Sequence, residues 1–294
     1  MKKGETKCSF CDSHADSKEH IIPRWLQKHF NLKDQQMHLW NGTKLKYSQG
    51  LIPACKYCNS ERFSKLENKV RKEEASLQEY YLWALKIRYG LALKDSSLKF
   101  DRKDPNSENL ISKFEVNYGS TFIKSALKAL DNPSFQFKPN PFGSVFFFEQ
   151  ADDINENFNM IDVPPPYWAL SITLPSNKIL MVLFADRGIV KKCFSKQKEN
   201  EISNDILNNG SHSLNPITFS ILTTQNHLKI KSDIRFTENG IFAERIPKRI
   251  KIRKQQIQWY YEIAYHCGLN NAFAKKVYEY HKDKYQNLRS IRCA

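Results

Sequence analysis

The chain has 294 residues, of which 40% are hydrophobic and 13% aromatic, which is typical of a folded protein long enough for two domains and excludes a disordered one. Its net charge of +15, from 46 basic and 31 acidic residues, favours nucleic acid as a partner, although a lysine-rich coding bias is the alternative. Of the seven cysteines, Cys193, Cys267 and Cys293 are scattered, and this odd number without regular spacing argues against a secreted disulfide scaffold. No stretch is apolar enough to span a membrane. We therefore expect a cytoplasmic protein with no membrane partner.

Two Cys-x-x-Cys pairs lie near the start of the chain. Cys8 and Cys11 form the first pair, and Cys55 and Cys58 form the second. This spacing lets both thiolates of a pair face one ion from a tight turn, and four thiolates suit a tetrahedral zinc ion. We predict a structural Zn²⁺ held by these four residues.

The two pairs enclose the segment Glu19-His20-Ile21-Ile22-Pro23, and Asn59 follows the last cysteine directly. In combination these motifs resemble the HNH endonucleases of the zinc-bearing ββα-metal type, over roughly the first quarter of the chain. The resemblance implies a β-hairpin and a helix that grip a catalytic divalent metal, while zinc holds the scaffold. It also implies that His20 is the general base and that Glu19 and Asn59 are ligands of the catalytic metal.

The chemistry of phosphodiester hydrolysis is compatible with these residues. A neutral imidazole can take a proton from the attacking water. Carboxylate and amide oxygens favour Mg²⁺ or Mn²⁺ as the catalytic ion. Arg24, one helical turn beyond His20, could contact the phosphate. The alternative is a zinc ribbon in which Glu19-His20 is only a surface turn.

One position departs from the family pattern. The middle Asn of the motif normally precedes a Leu a few residues before the second cysteine pair, and here that place holds Gly50 before Leu51. In the family this Asn orients the base and ties the loop. Either Asn41 or a backbone group therefore substitutes for it, or activity is reduced.

Further elements follow in chain order. Pro23 predicts the start of a short helix, and Asn41-Gly42 predicts a hairpin. The apolar spacing over 61–93 predicts one long helix, in which Glu67 is either a further metal ligand or part of a solvated face. The polar residues 94–109 predict a linker or surface loop. We expect a nuclease module over 1–93 and a second domain over 94–294.

The second half of the chain has a different residue pattern. A helical pair is predicted over 107–130, with a break at Asn117–Gly119. Aromatic and β-branched runs then predict the strands of an antiparallel sheet. These strands are expected at 135–137, 144–149, 167–174, 178–184, 217–223 and 227–234.

The C-terminal region combines charge with a helical pattern. Five of the residues in 248–254 are basic, so this run is either a phosphate-contacting arm or a solvated edge. Two helices separated by Gly268 predict an αα-hairpin. A helix-turn-helix is the alternative, and it would present Asn270, Asn271, Lys275 and Lys276 to DNA.

Together these features predict an α+β protein with an N-terminal zinc-stapled ββα-metal module, a helical linker region and an antiparallel-sheet domain that ends in an αα-hairpin. The function predicted first is a metal-dependent HNH endonuclease that cleaves DNA, in restriction or antiphage defence, with RNA as the other candidate substrate. One alternative is a non-catalytic zinc-containing nucleic-acid-binding protein. Another is a nuclease subunit that a partner activates within a defence complex. A homodimer would make double-strand cleavage easier.

Overall fold

A computed structural model of the chain describes residues 6–39, 41–111, 113–149, 157–163, 167–193, 214–227, 233–244, 249–251, 256–285 and 290–292. The chain divides into two compact units, Met1–Gln136 with Phe236–Ile241 and Phe137–Arg235 with Phe242–Ala294. Both helices and antiparallel sheets are present, as the α+β prediction requires.

The elements are as follows. The helices are α1 (Arg24–His29), α2 (Ser64–Arg71), α3 (Leu77–Asp95), α4 (Lys113–Leu127), α5 (Ile189–Cys193), α6 (Leu214–His227), α7 (Ile257–His266) and α8 (Asn271–Tyr285). A π-helical segment, Tyr57–Phe63, leads into α2, and 3-10 turns lie at Tyr47–Gln49 and Lys128–Leu130. The strands are β1 (Ser17–His20), β2 (Gln36–His38), β3 (Lys44–Lys46), β4 (Leu51–Ala54), β5 (Gln136–Lys138), β6 (Ser144–Glu149), β7 (Met160–Val163), β8 (Ala169–Leu174), β9 (Lys178–Leu183), β10 (Asp233–Thr237), β11 (Gly240–Glu244), β12 (Arg249–Lys251) and β13 (Ser290–Arg292).

The first unit begins with a strand pair and a helix. Strand β1 pairs antiparallel with β4, and His20 lies opposite Leu51 in the register. The π-helical segment and α2 follow β4 directly. Between the two strands, α1 begins after Pro23, and β2 pairs with β3 around the turn that contains Gly42 at φ 75°. The predicted hairpin at Asn41-Gly42 is confirmed.

The prediction of one continuous helix over 61–93 is wrong, because α2 ends at Arg71 and α3 begins at Leu77. Glu73 has a φ of 60° between them. Ser76 then caps α3, since its hydroxyl accepts from the N–H of Glu79 while the Glu79 carboxylate accepts from the N–H of Ser76. This capping box starts a new helix, although the apolar spacing continues across the break.

Helix α3 is the central element of the first unit. Its residues from Tyr80 to Leu91 are buried on every side, as expected of a helix enclosed by other elements. Helix α4 packs on α3 and runs without interruption through Gly119, so the predicted break at Asn117–Gly119 is wrong. The boundary predicted between residues 93 and 94 falls inside α3, and the compact units change at Gln136 instead.

The second unit contains a four-stranded antiparallel sheet in the order β6-β9-β8-β7. The strands predicted at 144–149, 167–174 and 178–184 are confirmed within one or two residues. Ser176 and Asn177 have positive φ in the tight turn between β8 and β9. The strand predicted at 217–223 is wrong, because these residues lie in α6. Periodicity alone does not separate a short buried apolar run in a helix from one in a strand.

The C-terminal αα-hairpin is confirmed. Gly268 has a φ of 65° after α7, and the N–H of Leu269 donates to the Ala264 carbonyl, which is a typical helix-ending contact. The Asn270 side chain accepts from the N–H of Phe273 at the start of α8. Strand β12 holds the described part of the basic run 248–254 and pairs with β13; the rest of that run lies outside the described residues.

One further sheet lies among the described residues. Strand β5, predicted at 135–137, joins a three-stranded sheet in the order β10-β11-β5. The strand predicted at 227–234 overlaps the described chain only at its ends, in α6 and in β10. None of the helices in the described ranges is long and apolar enough to cross a membrane.

Candidate functional site

The four predicted zinc ligands come together in the first unit. The sulfur atoms of Cys8, Cys11, Cys55 and Cys58 all lie within 4.8 Å of one another, and Cys11 Sγ is 3.5 Å from Cys55 Sγ. A tetrahedral zinc ion with Zn–S bonds of about 2.3 Å holds its sulfurs about 3.8 Å apart. The cluster therefore fits one zinc ion.

Hydrogen-bond donors surround the sulfur atoms. The N–H of Phe10 lies 3.5 Å from Cys8 Sγ, and the N–H of Cys58 lies 3.4 Å from Cys55 Sγ. Arg62 Nη1 is 3.5 Å from Cys58 Sγ. Donors of this kind stabilise the negative charge of metal-bound thiolates and fix the ligand geometry.

Strand β1 separates the side chains of Glu19 and His20. Successive residues of a strand point to opposite faces. Glu19 is buried, with 5% of its surface exposed, whereas His20 is half-buried. The two predicted site residues are therefore adjacent in sequence but lie in different environments.

The buried carboxylate of Glu19 belongs to an ion triad. Lys86 Nζ, on α3, lies 2.5 Å from Glu19 Oε1 and 2.5 Å from Glu67 Oε1 on α2. The Lys86 side chain is 1% exposed and its ammonium lies 5.0 Å from the centre of the Phe63 ring. Two carboxylates and one aromatic face thus surround a single buried cation.

Burial and charge act in opposite directions within the triad. Burial raises the pKa of Glu19, and the neighbouring Lys86 partly offsets this effect. Burial opposes the charge of Lys86, but the carboxylates of Glu67 and Glu19 outweigh it, so the pKa of Lys86 is raised. Lys86 is accordingly charged throughout the physiological range.

His20 is electrically neutral at neutral pH. Burial, followed by the positive charges of Arg24 and Lys86, lowers the pKa of His20 from 6.5 to about 4. Arg24 itself is exposed at the first position of α1. The imidazole therefore keeps a lone pair that can accept a proton, and the exposed Arg24 nearby can attract a phosphate group.

Asn59 lies against β1 from the π-helical segment. Its Nδ2 donates to the Lys18 carbonyl at 3.1 Å and lies 3.3 Å from Ser17 Oγ. The amide therefore fixes the segment to the strand that carries Glu19 and His20. In this position Asn59 acts as a hydrogen-bond donor to the backbone.

Both residues predicted to bind the catalytic metal have other contacts in this structure. Lys86 Nζ contacts Glu19 Oε1, and Asn59 Nδ2 donates to β1, so a divalent ion at Glu19 and Asn59 stays a prediction. Within the described parts of the chain, the cysteine cluster is the one group of three or more Cys, His, Asp and Glu residues that could hold a metal. Glu67, predicted as a further ligand or a solvated residue, binds Lys86 instead.

The backbone of Gly50 contacts the segment that follows His20. The Gly50 carbonyl accepts from the N–H of Ile21 at 2.8 Å, directly after His20. The Asn41 side chain is used elsewhere, since it donates to the Lys99 carbonyl and accepts from the N–H of Thr43. Of the two predicted substitutes, the backbone group is the one that contacts this segment.

Sequence patterns missed the importance of Lys86. The signal that could have found it is its position, because Lys86 lies with Arg88 in the otherwise apolar run from Tyr80 to Leu91. A lysine is almost never fully buried unless it is paired. A buried carboxylate partner could therefore have been expected.

Comparisons of the chain with protein families, with curated proteins and with solved structures gave no match.

Proposed function

We propose that the first unit hydrolyses phosphodiester bonds, with DNA as the substrate. The observation that supports this proposal most is the position of His20. Its half-buried neutral imidazole ends a strand that a cysteine cluster and a helix hold in place, with Arg24 nearby. The chain's net charge of +15 would draw nucleic acid to it. The resemblance to HNH endonucleases suggests a role in restriction or antiphage defence.

In this proposal His20 removes the proton from the attacking water. A base with a pKa near 4 is weak at neutral pH. A phosphate diester bound beside Arg24 would raise that pKa, because its negative charge favours the protonated imidazole. Arg24 would contact the phosphate and balance charge that develops on its oxygens.

A catalytic Mg²⁺ or Mn²⁺ remains part of the proposal because the resemblance implies one. Such an ion would stabilise charge on the phosphate when bound. The ion would share the Glu19 carboxylate with Lys86, which contacts its Oε1.

The test is cleavage of supercoiled plasmid by the purified protein with Mg²⁺ or Mn²⁺ present. The wild type should nick or linearise the plasmid, and His20→Ala should not. His38→Ala is the matched control, because His38 is exposed on β2. Zinc content and circular dichroism should be equal in all three proteins. Cleavage retained by His20→Ala would remove His20 from the role of base.

A second candidate is a zinc-containing nucleic-acid-binding protein without catalysis. The observation that favours it is the ion pair between Lys86 and Glu19, since a carboxylate that is already neutralised has less need of a metal. Plasmid bound but left intact by the wild type, with one zinc and no weaker divalent site, would support this candidate. Cleavage that begins only when a partner is added would instead identify a partner-activated nuclease.

A further inference from the structure

The first unit contains a cavity of about 280 Å³ beside α2. It lies outside the cysteine cluster and the Glu19 triad. Its polar lining residues are Tyr57, Arg62, Lys65, Lys69, Glu79 and Asp131, and two leucines complete the wall.

Positive charge exceeds negative charge in this lining. Arg62 is paired with Asp131, and Lys69 Nζ lies 2.6 Å from Glu79 Oε1. Lys65 is exposed, and within the described residues it has no acidic partner. After both ion pairs are counted, one cation remains for an anionic ligand.

Arg62 offers a second donor. Its side chain is 9% exposed. Nη2 contacts Asp131 and Nη1 contacts Cys58 Sγ, but Nε has no hydrogen-bond partner within the described part of the chain. A buried N–H without a partner is costly, and an acceptor oxygen from a ligand in the cavity would relieve this cost. Arg62 is therefore held in place with one donor unused.

The lining also has an aromatic and an apolar part. The Tyr57 ring is 46% exposed, although its hydroxyl is fixed by a 2.8 Å hydrogen bond to Asp131. Leu66 and Leu130 line the same cavity. An aromatic face beside cations is the combination that binds a nucleobase together with its phosphate.

The cavity and the Glu19 triad use different faces of α2. Lys65 and Lys69 are four residues apart and share one face of the helix, whereas Glu67 lies two residues from each and points elsewhere. Glu67 faces Lys86. A ligand in the cavity can therefore bind without contact to His20 or Glu19.

We propose that this cavity binds a nucleotide 5′-phosphate, either free or at the end of a strand. Lys65 and Arg62 Nε contact the phosphate, and Tyr57 stacks on the base. The volume is close to the lower end of the range for ligand pockets, about 300 Å³, so it suits a single nucleotide better than a longer segment. This inference stands independently of the proposed hydrolysis.

Calorimetric titration with the full chain tests the proposal. AMP should bind more tightly than either inorganic phosphate or adenosine. Lys65→Ala should weaken AMP binding by about tenfold, the loss of one charge-assisted contact. Lys72→Ala is the matched control, because Lys72 is exposed just after the same helix and does not line the cavity; it should leave affinity unchanged.

A second variant and two oligonucleotides complete the test. Tyr57→Ala should reduce the affinity for AMP to that for inorganic phosphate. A 5′-phosphorylated oligonucleotide that binds more tightly than its 5′-hydroxyl counterpart, and that competes with AMP, would identify the strand end as the source. Three results would each overturn the proposal. They are a wild type that does not bind AMP, equal effects of Lys65→Ala and Lys72→Ala, and equal affinities for AMP and inorganic phosphate.

Discussion

Lys86 Nζ contacts Glu19 Oε1 and Glu67 Oε1 at the same distance, 2.5 Å. One buried ammonium thus joins β1, α2 and α3. Removing a single member of a buried ion group leaves a charge without a partner, which costs more than the group itself contributes.

Lys86→Met should therefore lower the free energy of unfolding by about 3–5 kcal/mol. Urea denaturation measures this loss. Lys18→Met, at an exposed lysine on β1, should change stability little. Adding Glu19→Gln and Glu67→Gln to Lys86→Met should recover part of the loss, since no ionised carboxylate would then lack a cation. A single variant as stable as the wild type would contradict the triad.

Zinc content should depend on the cysteine cluster alone. The wild type should hold one zinc ion per chain, and Cys55→Ala should lose it, because three thiolates bind zinc far more weakly than four. Atomic emission gives the stoichiometry. Cys267→Ala is the control, since Cys267 is buried in the second unit and should leave zinc unchanged. Zinc retained in full by Cys55→Ala would contradict a four-cysteine site.

Gly90 on α3 allows the segment after His20 to approach closely. A Cβ at Gly90 would lie 2.9 Å from Cγ1 of Ile21, closer than side chains tolerate. Gly90→Ala should therefore destabilise the protein by about 1–3 kcal/mol, as measured by thermal or urea unfolding. Ile21→Ala should cost less in the Gly90→Ala background than in the wild type, because it also removes the clash.

The matched control for that variant is Gly119→Ala in α4. A Cβ at Gly119 would meet no atom within 4 Å, so the alanine should raise stability by up to about 1 kcal/mol through helix propensity. Equal effects of the two alanines would show that α3 and Ile21 are not packed as described.

His20 should give the stability of the first unit a defined pH dependence. Its pKa is lowered in the folded state from 6.5 to about 4, so between these values the unfolded chain takes up a proton that the folded chain does not. The contribution is present above pH 6.5 and is lost as the pH falls towards 4. The stability of the wild type relative to His20→Gln should therefore decline over that window. A constant difference between pH 7 and 4.5 would contradict the lowered pKa.

Local sequence patterns predicted the elements that depend only on residues close together in the sequence. The Cys-x-x-Cys spacing identified the residues of the cysteine cluster, and aromatic and β-branched runs between turn residues identified β6, β8 and β9. The apolar run 217–223 was wrongly predicted as a strand, because a buried helix and a buried strand have the same composition over seven residues. The pairing of Lys86 with Glu19 was not predictable in the same way, since these residues are far apart in sequence and meet only through the packing of α3 against the strand pair.

The contact between Cys11 and Cys55 closes the chain between them into a ring. A zinc ion bound here would cross-link the residues just before β1 to the residues just after β4. The entropic cost of closing a ring rises only slowly with its length, by about 0.6 kcal/mol for each doubling. The stretch from α1 to β4, including the β2–β3 hairpin, is therefore free to lengthen or shorten during evolution while His20 keeps its place opposite Leu51.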